Sequence, residues 1–98
     1  MILKIIMPRL NYPIKKYQKA VEKIASEKDL FVKVVAKKGS VVRFELFEDG
    51  CDVPLAFWVV HHSHGDRKKI IWSKEDYRKA ATRLNCTLEE FTKRVASS

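Results

Sequence analysis

The stretch LFVKVVAKKGSVVRFELF, residues 30 to 47, constrains the fold more than any other part of the chain. β-branched and aromatic residues dominate it, and KKGS interrupts it midway, so it is expected to form a β-hairpin with Gly39 in the turn. In its second arm Val42, Phe44 and Leu46 alternate with Val41, Arg43 and Glu45. That period of two predicts a strand with one face buried and the other wet. EDGCD supplies a second turn around Gly50, and PLAFWVVHH supplies a third strand. A turn centred near residues 50 and 51 places Val41 opposite Val60 or His61, with a bulge able to change which histidine faces which side.

Helices flank this meander. Ile14, Tyr17, Val21 and Ile24 recur at spacings of three and four, which predicts a helix from Pro13 to about Lys28. Ser73 opens SKED, a capping signal for a helix from Lys74 to about Leu84, stopping at Asn85. Thr87 opens TLEE, a second capping box, followed by a short helix with Leu88, Phe91 and Val95 as its apolar stripe. The order α-β-β-β-α-α gives an α+β chain: a three-stranded antiparallel sheet with helices on one face. That is the arrangement of a sandwich like the double-stranded-RNA-binding domain. Residues 1 to 7 are set apart as an N-terminal extension, and residues 8 to 98 as a single domain. With 98 residues there is room for one modest core.

The charge is one-sided, +8 from 20 basic and 12 acidic residues. A small domain this basic points first to a polyanion, and nucleic acid leads. From Asp66 to Arg83 there are seven basic and three acidic residues, a net +4 on one segment. Arg67, Lys68, Lys69, Lys74, Arg78 and Lys79 are its candidate phosphate contacts. Lys37, Lys38 and Arg43 on the hairpin complete the candidate nucleic-acid surface. The plainer alternative is a solvated charged face. No apolar run nears the roughly 20 residues that span a bilayer. Cys51 and Cys86 form no C-x-x-C pair, and no signal peptide precedes them, so reduced thiols in a cytoplasmic protein are expected.

The chain resembles the HicA (YcfA-like) toxins of bacterial and archaeal toxin–antitoxin pairs. The residues that carry the resemblance are MPRL before the first helix, KKGS between two strands, VVHHSHGDRKKI, Arg78 on a basic helix, and LNCTLEEF. The resemblance spans about residues 7 to 95. It implies a small ribonuclease that cuts mRNA and is silenced by a HicB-like antitoxin. The family's catalytic histidine directly follows the Gly-Ser of the hairpin turn. Gly39 and Ser40 are present here, but Val41 stands in that next position, and a valine cannot carry a proton. The family's Gly-Thr at the start of the basic helix is also replaced, by Glu75 and Asp76.

His61, His62 and His64 are the only histidines in the chain, and they are the candidate catalytic residues. An imidazole moves protons near neutral pH, and an adjacent cation stabilises a crowded phosphate. Their plainer reading is an exposed strand end. As zinc ligands they would need Cys51 or Asp66 to complete a set, and no familiar ligand spacing appears, so neither metal nor cofactor is expected. Trp58, mid-strand, is expected in the core, and Trp72 as a hydrophobic staple onto the following helix. Two functions follow. One is an RNA-binding, metal-independent endoribonuclease of the toxin type. The other is a catalytically degenerate module that binds RNA or a protein partner.

Overall fold

The computed structural model describes residues 10 to 63 and 69 to 98. The chain runs β1 (Tyr12–Pro13), α1 (Ile14–Glu27), β2 (Leu30–Ala36), β3 (Val41–Glu48), β4 (Ala56–His61), β5 (Ile70–Ile71), α2 (Lys74–Arg83) and α3 (Leu88–Ala96). The protein is therefore α+β, with an antiparallel sheet in the order β2-β3-β4 and three helices among the described residues. The expected N-terminal extension, together with His64, Arg67 and Lys68, falls outside the described residues.

Gly39 and Gly50 both adopt φ +77, the left-handed conformation that each hairpin turn requires. The second turn sets the register: Val42 pairs with Val60, Phe44 with Trp58 and Leu46 with Ala56. These inward residues meet Tyr17, Val21 and Ile24 of α1, Tyr77, Ala80 and Ala81 of α2, and Phe91 and Val95 of α3 in one core. Tyr17 lies at its centre, with edge-on contacts to Phe44, Tyr77 and Phe91 at 5.2, 5.5 and 5.2 Å between ring centroids. Its hydroxyl accepts a hydrogen bond from the Trp58 indole at 2.8 Å and donates to the Asp76 carbonyl at 2.7 Å. Burial pushes the Tyr17 hydroxyl well above its ordinary pKa of 10, so it stays protonated as this donor.

The sequence reading missed one feature of the fold. β1 and β5 form a two-residue ribbon, Tyr12 opposite Ile71 and Pro13 opposite Ile70. Tyr77 ties it to α2, donating to the Ile71 carbonyl and accepting from the Tyr12 amide at 3.1 Å. Burial pushes the Tyr77 hydroxyl up to about 12. The amide of Ile14, the first residue of α1, donates to the Lys69 carbonyl at 3.0 Å, so the ribbon also anchors that helix start.

The two capping signals part company. At α3 the box closes as expected: the Glu90 amide donates to Thr87 Oγ1 and the Thr87 amide donates to Glu90 Oε1, both at 3.0 Å. The hydrogen bond from the Thr87 amide holds the Glu90 carboxyl below its ordinary 4.5. A carboxyl lowered on folding stabilises the protein above its unfolded-state pKa, and that contribution is lost as pH falls through the folded value. Replacing Glu90 with glutamine should therefore flatten the acid limb of a stability–pH curve below about pH 4.5. A parent and variant that lose stability in parallel there would contradict this.

At α2 the expected box does not form. Ser73 holds the N-cap position with no side-chain bond, and the Asp76 carboxylate is engaged elsewhere.

Candidate functional site

The site forms where β4 leaves the sheet. His61 is the last residue of β4 and pairs with Val41. The His62 amide donates to the Ser40 carbonyl at 2.9 Å, and His62 itself bridges to Ile71 of the ribbon. The Ser63 amide then donates to the Ile70 carbonyl at 2.9 Å. The chain thus passes from the sheet to the ribbon within two residues, and both described histidines lie at that junction.

Helix α2 lies along the outer edge of β4 and closes it. Asp76 Oδ2 accepts the His61 amide at 3.0 Å, Lys79 Nζ donates to the Val59 carbonyl at 3.1 Å, and Arg83 Nε donates to the Phe57 carbonyl at 3.2 Å. Geometry explains the match. Each step of three or four residues along α2 advances about 5 Å, and each step of two along β4 covers about 6.7 Å. Helix and strand run in opposite senses, so 76, 79 and 83 meet 61, 59 and 57 in turn. Asp76 is buried to 2% exposure, and Lys79 Nζ also reaches its Oδ1 at 3.4 Å. This explains the failed cap: the unpaired edge amide of His61 takes the carboxylate that Ser73 would otherwise have shared.

An open groove lies between these elements, lined among others by Ser40, His61, His62, Trp72, Asp76 and Lys79. Trp72, expected as a hydrophobic staple, is 60% exposed and lines the groove. Trp58, by contrast, is in the core as expected. His61 is exposed, on the same side of the sheet as Val41. His62 is half-buried, and its Nδ1 lies 2.9 Å from the Ser63 carbonyl. A carbonyl can only accept, so Nδ1 carries the proton of the neutral ring and Nε2 keeps its lone pair.

The candidate cations divide. Lys79 is held by Asp76 and Val59, and Arg78 pairs with Glu75 at 3.0 Å. Arg43 shares the open face of the sheet with Val41 and His61, its Nε 3.0 Å from Glu45, and is not among the residues that line the groove. Lys37, Lys38, Lys69 and Lys74 are exposed, the first two in the hairpin turn that also holds Gly39 and Ser40. No group of three histidine, cysteine or acidic side chains that could hold a metal occurs among the described residues. None of their helices is long and apolar enough to cross a membrane.

The sequence reading missed Asp76, which it took only as a capping residue. No family model, curated protein or solved structure matches the chain.

Proposed function

We propose that this protein binds RNA and cleaves it as a HicA-type endoribonuclease with a fold like the double-stranded-RNA-binding domain. The observation that carries the reading is the pairing of His61 with Val41. The resemblance puts the family's catalytic histidine at position 41. Side chains paired across antiparallel strands share a face, with Cβ atoms about 5 Å apart. The His61 imidazole therefore reaches much of the space that a histidine at 41 would occupy.

In this reading His61 takes the proton from a ribose 2′-hydroxyl. The 2′-oxygen bonds to the adjacent phosphorus, the P–O5′ bond breaks, and the departing 5′-oxygen takes a proton from protonated His62 or from water. Lys37, Lys38 and Lys74 stabilise the phosphate and hold the strand. An antitoxin of HicB type would act by covering this groove.

A second reading, an RNA-binding module without catalysis, is favoured by Val41 itself and by the internal commitment of Lys79. Incubating the purified protein with RNA, with and without EDTA, separates the two. Cleavage in both conditions is the expected result. Salt-sensitive binding with no cleavage selects the module, and the absence of both overturns the RNA reading.

A further inference from the structure

We infer that the open face of the sheet is a self-association surface, on which a second copy of this chain docks with its strands reversed. Val41 and His61 stand on this same face at its lysine end, so docking of a second copy and RNA cleavage would compete for it. Among the described residues six large apolar side chains are left exposed. Phe31, Val35 and Phe57 (43%, 38% and 51% exposed) point away from the helices. Leu55, exposed at the bend just before β4, and Val53, exposed in the loop leading to it, adjoin this sheet. Trp72 lines the groove instead. Such convergence marks a contact surface, because scattered apolar residues would spread over the molecule.

This face has a small apolar centre of its own. Phe47 is buried but lies outside the helix-covered core. It pairs with Phe31, their rings stacked at 5.5 Å and 13°. The charges in the middle of the face are already compensated. Lys33 Nζ sits 4.9 Å from the Phe47 centroid, and Arg43 lies 4.0 Å over Phe57 while paired with Glu45. They can be covered with less penalty than bare ions.

The ends of the sheet identify the occupant. Lys37 and Lys38 stand in the turn at one end, and Glu48, Asp49 and Asp52 stand in and beside the turn at the other. Lys28 and Asp29, also at the acidic end, offset each other. A phosphate backbone would be repelled by half of this surface, and Val35 and Leu55 offer nothing for a base to stack on. A second copy, turned about an axis in the interface and perpendicular to the strands, sets each lysine end against an acidic end. Apolar centre then meets apolar centre. The arrangement is isologous and closes at two copies. Three strands spaced about 4.8 Å apart cover only a few hundred Å², below the roughly 800 Å² per partner of a standard interface, so the dimer is expected to be weak.

Sedimentation equilibrium of the full chain over a range of concentrations tests this. A reversible monomer–dimer equilibrium is expected for the parent. Phe57→Glu, or Leu55→Asp should that variant fail to fold, should be monomeric with an unchanged circular dichroism spectrum. Lys37→Glu with Lys38→Glu should weaken the dimer about tenfold, and so should Asp49→Lys with Asp52→Lys. All four together should restore it. A parent that stays monomeric, a dimer indifferent to Phe57→Glu and Leu55→Asp, or a fourfold variant no stronger than either reversal overturns the inference. A monomeric parent whose folded Phe57→Glu variant loses RNA binding would assign the face to RNA instead.

Discussion

Changing His61 to alanine is expected to slow RNA cleavage by about 10²- to 10⁴-fold, the usual contribution of a positioned general acid or base. RNA binding should fall far less, because the exposed lysines that meet phosphate are untouched. His62→Ala should also slow cleavage, and here the chemistry has a direction. With Nδ1 donating to the Ser63 carbonyl, only Nε2 can face substrate. A glutamine at 62 could keep the hydrogen bond but could not exchange a proton, so it should be as slow as alanine. The measurement is single-turnover cleavage of one labelled RNA by parent and variants. If His61→Ala and His62→Ala both cut as fast as the parent, histidine chemistry at this groove is wrong.

Tyr17→Phe is expected to destabilise the fold despite the loss of a single oxygen. The three ring contacts survive, but the Trp58 indole N–H and the Asp76 carbonyl both lose their partner in a buried site. Each orphaned group costs about 1–3 kcal/mol. Small domains hold about 5–15 kcal/mol in all, so the urea midpoint should fall clearly. Adding Trp58→Phe removes the stranded donor as well. The double variant should therefore lose less than the two single losses together, even with a smaller ring stacked on Phe44. Strict additivity would show that the Trp58–Tyr17 bond is not the source of the effect.

Local patterns carried far into this structure. The strand alternation, the turn glycines and the helix stripes are properties of short segments, and each appears where its segment placed it. The turn near Gly50 narrowed the partner of Val41 to Val60 or His61, and the structure pairs it with His61. The features that were not legible depend on distant partners. Asp76 reads as a cap on its own helix, yet the His61 amide, 15 residues away, captures it. β1 and β5 have two residues each, and one of them is Pro13, too little for any periodicity to show. Val35 and Phe57 read simply as strand residues, since β-branched and aromatic side chains suit either face of a sheet.

The closure of β4 by Asp76, Lys79 and Arg83 makes the sheet directional. A strand arriving from another molecule finds the β4 side occupied by side chains that already hold its edge groups. At the opposite margin, β2 has no further strand beside it among the described residues. Any growth of this sheet, whether by a partner's extended peptide or by misassembly at high concentration, is therefore one-sided. A proline placed on β2 would act on that process, and one placed on β4 would damage the fold first.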